Sequence, residues 1–322
     1  MKKFLAILMV AVLAAGLLAA CGGNEPAAPA ARQPGDPARA MFITQAMSNP
    51  SQAFSWSEFQ RLKGEFNIDM IQVSGENEVQ IEIGGIEQAI ADGFDVIFIN
   101  PSNIEAVIPA LTRARDAGII IGMFSSELPE GSQHIRHFFA GSDDFEGGKL
   151  AGQFVSQRFP DGANFVEVGG QAGHDAQIKR HDGFRAGIAA NIIELDSQNC
   201  PGGWNAHEAR AIMEDFLTRH GDAIDIVWCH WDNGASAVIE AAQAAGRHDI
   251  FIIGVDGNST GYQQVLDGVQ ALSVGQSFTN MARKSLENAR IMLDGGTVPA
   301  VNIIPMDMVT LDNINDLPWP AW

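Results

Sequence analysis

Basic residues are scarce in this sequence: 20 Lys and Arg stand against 39 Asp and Glu, a formal charge of -19. So acidic a surface repels phosphate backbones, which argues against a nucleic-acid partner. The chain has no nucleophile elbow, no His-containing triad spacing and no pair of carboxylates that stands out, so the sequence does not point to an enzyme. The segment Gly169-Gly170-Gln171-Ala172-Gly173 lacks the G-x-G-x-x-G spacing of a dinucleotide loop, and no cofactor is expected. His174, Asp175, His181 and Asp182 have no third cluster at ligand spacing, so no metal is expected either. Cysteine is limited to 3 residues. Apart from Cys21, only Cys200 and Cys229 remain; each ends near an expected strand in the same half, where they could pair or stay two small buried side chains. Aromatics make up 8% and hydrophobic residues 46%, an ordinary globular balance that is neither collagenous nor broadly disordered.

What is present begins with a targeting segment at residues 1–21. Lys2 and Lys3 form a basic start, residues 4–17 an apolar run too short for a plain membrane anchor, and Leu18-Ala19-Ala20-Cys21 resembles the lipobox of bacterial lipoproteins. That resemblance implies lipidation of Cys21, an anchor in the membrane and an extracytoplasmic location. Residues 22–37, rich in Pro, Ala and Gly, read as a flexible tether. The 322 residues are more than one core usually supports, so two domains are expected.

The body alternates buried runs with helical periods. Residues 250–255 are almost wholly apolar, too short for a helix, and end at Asp256; residues 269–274 stop short of Gln276. Residues 94–99 end at Asn100, 164–168 at Gly169, and 224–229 at His230, Trp231 and Asp232. After them come amphipathic stretches such as Ile104, Val107, Ile108 and Leu111, opened by the Ser102 and Glu105 capping box. Buried strands alternating with such helices predict parallel sheets with helices on both faces, and ligands of open α/β sheets bind at the carboxyl edge.

The runs 92–101, 117–119, 140–144, Arg180-His181-Asp182-Gly183-Phe184, 253–257 and 309–313 together resemble the ribose-type periplasmic solute-binding proteins of ABC importers. The resemblance covers about residues 40–316. It implies an α/β fold of two doubly wound parallel-sheet lobes, the type I periplasmic binding protein fold, joined by three hinge crossings. The crossings are expected near 141–143, Ser277 and 304–308. The N-terminal lobe would be 38–142 plus 278–303, the C-terminal lobe 143–277 plus 304–322, with ligand in the cleft between them.

Carried over position by position, the resemblance assigns Asp256 and Gln276 to ligand hydroxyls from the second lobe and Asn100 from the first; a cap on the following helix is the other role open to Asp256. Where ribose-binding members carry an Asp-Arg pair, this chain has Ser125-Ser126 after Phe124, and where they carry a pocket arginine it has Ile178, with Lys179 and Arg180 beside it, Arg180 being read as frame. Trp231 stands in place of an asparagine. Trp204 and Trp231 are expected as walls, His174 as a further hydrogen-bonding group, and either Phe54 or Trp56 as a stacking ring. The implied function is capture of a small neutral sugar or polyol by a lipid-tethered monomer that hands it to ABC permease subunits. A sensor subunit presenting a sugar or autoinducer-like signal to a chemoreceptor or kinase is the alternative.

Overall fold

A computed structural model describes residues 33–322. The leader, Cys21 and residues 22–32 of the expected tether lie outside the described residues. The tether's final stretch bonds to the body: the Gly35 amide donates to Asp294 at 2.8 Å, and Arg290 donates to the Asp36 carbonyl at 2.9 Å.

In chain order the first half places β1 (Ala38–Thr44), α1 (Pro50–Leu62), β2 (Ile68–Ser74), α2 (Val79–Ala91), β3 (Val96–Asn100), α3 (Ile108–Asp116), β4 (Ile120–Phe124) and β5 (Phe138–Gly141). The second half follows with α4 (Asp144–Arg158), β6 (Ala163–Gln171), α5 (Asp175–Gly187), β7 (Ile192–Cys200), α6 (Ala206–His220), β8 (Ile226–Cys229), α7 (Asp232–Ala244), β9 (Phe251–Asp256), α8 (Ser259–Leu266) and β10 (Leu272–Gly275). Then come α9 (Phe278–Leu293), β11 (Val301–Ile303) and β12 (Asp307–Val309).

Two six-stranded sheets result, ordered β11-β5-β4-β3-β1-β2 and β12-β10-β9-β8-β6-β7. Every pairing is parallel except β10 with β12. This is the expected pair of doubly wound lobes. Strand β3 is buried at every position, as its continuous apolar run predicts for a strand covered on both faces. In the first lobe α2 and α3 close one face through Ile86, Val107 and Leu111, and α1 and α9 the other through Phe59, Leu62, Met281 and Leu286. The chain crosses between sheets after β5, after β10 into α9, and between β11 and β12.

Helices α4 and α5 lie almost in backbone contact. A Cβ on Gly183 would sit 2.1 Å from the Phe145 carbonyl oxygen, so the glycine of the Asp182-Gly183-Phe184 run is a packing requirement. Gly183→Ala is therefore expected to lower the melting temperature by at least about 2 °C, from an overpacking penalty of about 1–3 kcal/mol. Differential scanning calorimetry tests this; an unchanged transition would mean the helices separate freely.

Cys200 and Cys229 are unpaired thiols buried in one core cluster of the second lobe. Burial pushes the Cys200 thiol up to about 12 and that of Cys229 well above its ordinary value. The tail after residue 316 touches both lobes. Trp322 stacks on Phe54 at 5.6 Å and meets Phe278 edge-on at 5.3 Å, while its carbonyl accepts from the Ser259 amide at 2.5 Å.

Candidate functional site

The carboxyl edges of the two sheets face each other across a cavity with an empty volume of about 340 Å³, its mouth included. From the second lobe, β9 delivers Asp256 in a left-handed backbone conformation, φ +126°, which is strained for any residue but glycine. Its side chain is buried, and its one hydrogen bond among the described residues is from the Gln276 amide at 3.2 Å. Burial pushes this carboxyl well above its usual range, and the neighbouring Asp232 pushes it further. Asp232 is better held. It accepts from Ser273 at 2.7 Å, Gln270 at 2.8 Å and the Gly257 amide at 2.9 Å, yet burial still raises it to about 6. Asp232 thus fixes the turn that aims Asp256, and Asp256 is left with acceptor capacity to spare.

Two tryptophans from the same lobe wall the cavity. Trp231 caps α7 and meets Trp204 edge-on at 5.5 Å; Trp204 meets His174 edge-on at 5.3 Å. Each ring lies on a glycine: a Cβ at Gly234 would fall 2.5 Å from Trp231, and one at Gly170 2.3 Å from Trp204. Arg180 covers Trp204 with its guanidinium carbon 5.5 Å from the ring. Its nitrogens are engaged below, with Asp144 at 2.7 Å and the His230 carbonyl at 2.5 Å.

The first lobe contributes Asn100 at the end of β3, Ser125 at φ +63°, Gln45 and Asn49 between β1 and α1, and Ser51 and Gln52 in the first turn of α1. Asn100 is oriented by Ser126, which donates to its Oδ1 at 2.7 Å. Contacts then cross the cleft. His174 Nδ1 accepts from the Ala176 amide at 3.2 Å, so the ring proton sits on Nε2, which donates to Asn100 Oδ1 at 3.2 Å. Burial, with Arg180 and Lys179 nearby, lowers this imidazole to about 3, so it is neutral. Beside it Asp175 accepts from the Glu127 amide at 2.8 Å and from Lys179 at 2.8 Å, while burial raises its carboxyl to about 6. These hydrogen bonds join the two lobes beside the cavity.

Three buried polar atoms of the lining have no hydrogen-bond partner among the described residues: Gln45 Oε1, Gln276 Oε1 and Trp204 Nε1. Leaving such atoms unpaired costs about 1–3 kcal/mol each. Two acceptors, a donor and an under-used carboxyl in one chamber match a guest that carries both donors and acceptors, as hydroxyl groups do.

Of the residues expected from sequence, Asp256, Gln276, Asn100, Trp231, Ser125, His174 and Trp204 line this cavity. Phe124, Trp56 and Phe54 do not, and these three placements correct the expectation. Phe124 is buried in the first-lobe core, 5.4 Å from Phe42 and 5.2 Å from Phe59, because its side chain points to the α1 and α9 face of the sheet. Trp56 stacks on Phe42 at 6.4 Å, and Phe54 is taken by Trp322. The first-lobe ring in the cavity is Phe278, the first residue of α9. Ile178 is exposed, whereas Arg180, read as frame, both braces the lobe and lines the cavity. Gln45 was missed although it follows a buried strand as Asn100 ends one. Among the described residues there is no group of three or more metal-ligating side chains.

Comparison with known proteins fits this geometry. Residues 40–297 match the periplasmic binding protein domain. The chain is 25% identical over 268 residues to the ribose import binding protein of Escherichia coli, covering 83% of this chain and 89% of that protein. It is 24% identical over 258 residues to the xylitol-binding protein of Mycolicibacterium smegmatis, covering 78% of this chain and 68% of that one. A solved galactofuranose binding protein superposes with a TM-score of 0.82 at 23% identity, covering 87% of this chain and 97% of the other. A Caulobacter myo-inositol binding protein gives 0.82 at 19% identity, with 88% and 97% covered; both likenesses concern the fold. Two doubly wound lobes meeting at their carboxyl edges, with the matched span running from β1 to just past α9, place this chain in the periplasmic binding protein family, in its type I form.

Proposed function

We propose that this protein is an extracytoplasmic, lipid-anchored receptor that captures a small neutral polyhydroxylated solute, a sugar or polyol, and delivers it to an ABC permease. The observation that carries this is the convergence of Asp256 with the three unpaired polar atoms of Gln45, Gln276 and Trp204 around a chamber walled by Trp204, Trp231 and Phe278. Hydroxyl groups would satisfy the polar atoms, and ring faces would cover the C–H faces of a sugar. The only cation in the lining among the described residues, Arg180, is already engaged by Asp144, which speaks against a phosphorylated or carboxylated guest. Relatives named for ribose import and for xylitol binding support the solute class. The lipobox-like run ending at Cys21 supports the anchor. Lobes divided at 38–142 plus 278–303 and 143–277 plus 304–322 would open and close about the three crossings.

A thermal-shift screen tests the solute class, because a ligand bound only by the native state raises the melting point. With ribose, arabinose, galactose, glucose, xylitol and myo-inositol, at least one is expected to give a shift of roughly 5–10 °C at a hundredfold excess over its Kd, from about 2.7 kcal/mol of binding linkage. Silence from all six, with a shift instead from an amino acid or a polyamine, would overturn the reading.

A further inference from the structure

A second cavity adjoins the closed chamber on the side away from the crossings. The crossings run beside β5, β11, β10 and β12, whereas β2 and β7 are the opposite edge strands of their sheets. Between the loops that follow β2 and β7 lies an open vestibule of about 800 Å³ empty volume, its mouth included. It shares Asn49 and Trp204 with the inner chamber, so one wall of each space is the same indole.

The vestibule's chemistry is unlike that of the rest of this acidic surface. None of its lining residues is charged, and its polar side chains are Ser48, Asn49, Asn77, Asn205 and Asn233. Three of these carboxamides are anchored by the same atom. Asn49 Oδ1 accepts from the Ser51 amide at 3.1 Å, Asn205 Oδ1 from the His207 amide at 2.9 Å, and Asn233 Oδ1 from Asn258 at 3.0 Å. With the oxygens tied, the amide nitrogens are the free ends, and none of the three donates to an acceptor among the described residues. Asn77 closes the rim by donating across the cleft to the Gly202 carbonyl at 3.1 Å.

We infer that the ligand extends beyond one ring: its inner unit fills the closed chamber and a second neutral sugar unit, glycosidically linked to it, occupies the asparagine vestibule. This deepens the proposed function and rests on it. Fixed N–H donors beside an indole match the hydroxyl and ring oxygens of a sugar and its apolar faces. They do not match an anion, since no cation lines the vestibule and the protein carries a net charge of -19.

Titration calorimetry on the full chain would compare D-galactose, D-glucose, D-ribose and L-arabinose, each free and carrying a glucosyl or galactosyl unit. One disaccharide is expected to bind at least about tenfold tighter than its own inner sugar. Asn205→Asp and Asn233→Asp keep the anchoring oxygen and remove the donor. Each should lower disaccharide affinity about tenfold and leave the free sugar within about twofold. A free sugar that binds while its disaccharides bind equally or worse overturns the inference and leaves the proposed function standing. A disaccharide advantage untouched by both variants overturns the asparagine assignment. Binding by none of these sugars overturns this inference, and the six-solute thermal-shift screen then decides separately whether the proposed function stands.

Discussion

Asp256→Asn is expected to weaken binding of the solute found by the thermal-shift screen by more than about tenfold, or roughly 1.4 kcal/mol, and at the same time to make the empty protein more stable. The loss follows from the acceptor role. A carboxylate accepts from two hydroxyls, and an amide in its place turns one acceptor into a donor aimed at a donor. Gln276→Ala, which removes the partner of Asp256, should also cost more than about tenfold. The gain follows from what the empty site stores. Asp256 is buried beside the Asp232 carboxylate with φ at +126°, and asparagine carries no charge and tolerates positive φ better than most residues.

The pH dependence of that gain has a definite sign. A carboxyl raised in the folded state contributes its full stability below its unfolded value, near 3.8, and loses it as pH rises. Wild type and Asp256→Asn should therefore melt close together at pH 4 and diverge toward pH 7, the variant ending a few degrees higher at about 2–4 °C for each kcal/mol. Tight binding by Asp256→Asn, or a variant less stable than wild type at pH 7, would show that Asp256 is a structural cap.

The features legible in the sequence are those that a single strand end announces. Asp256, Gln276 and Asn100 each close a run buried on both faces, and a polar side chain there can only lie at the sheet's edge. Gln45 carried the same signal, one residue past β1, and was passed over for the rings that follow it. Those rings sit on α1, whose buried residues Ser51, Gln52, Ser55, Glu58, Phe59 and Leu62 follow the helical period, but the period does not say which flank meets the cleft. Trp56 turned to Phe42. Phe124 shows the limit of period two: it ends β4 much as Asn100 ends β3, yet its side chain serves the core and the turn at Ser125 faces the cavity. Contacts with no local pattern were beyond reach. The stacking of Trp322 on Phe54 and the meeting of Asn77, Asn205 and Asn233 join segments far apart in the chain, and loops carry no periodicity that would pair them.

The latch across the cleft predicts a pH profile that only its variants reveal. His174 and Asp175 open α5 and reach the first lobe at Asn100, Ser126 and Glu127, so closure of the proposed lobes would bury both. Burial takes His174 from its ordinary 6.5 to about 3, with Arg180 and Lys179 as the cations facing it, so closing releases a proton below pH 6.5 and weakens as the medium turns acid. Asp175 goes the other way, from 3.8 to about 6, with Lys179 opposing and Asp144 reinforcing the rise, so closing takes up a proton below pH 6. Between pH 6 and pH 4 the two nearly cancel. Removing either uncovers the other. As pH falls across that window, Asp175→Asn should lose affinity relative to wild type by about thirtyfold in all, whereas His174→Gln should gain relative to wild type by a similar or somewhat larger factor. Because Asp256 titrates alike in all three proteins, its own linkage drops out of these ratios. Parallel profiles for the three would mean that both side chains keep their burial when the lobes part, and that the latch is no part of closure.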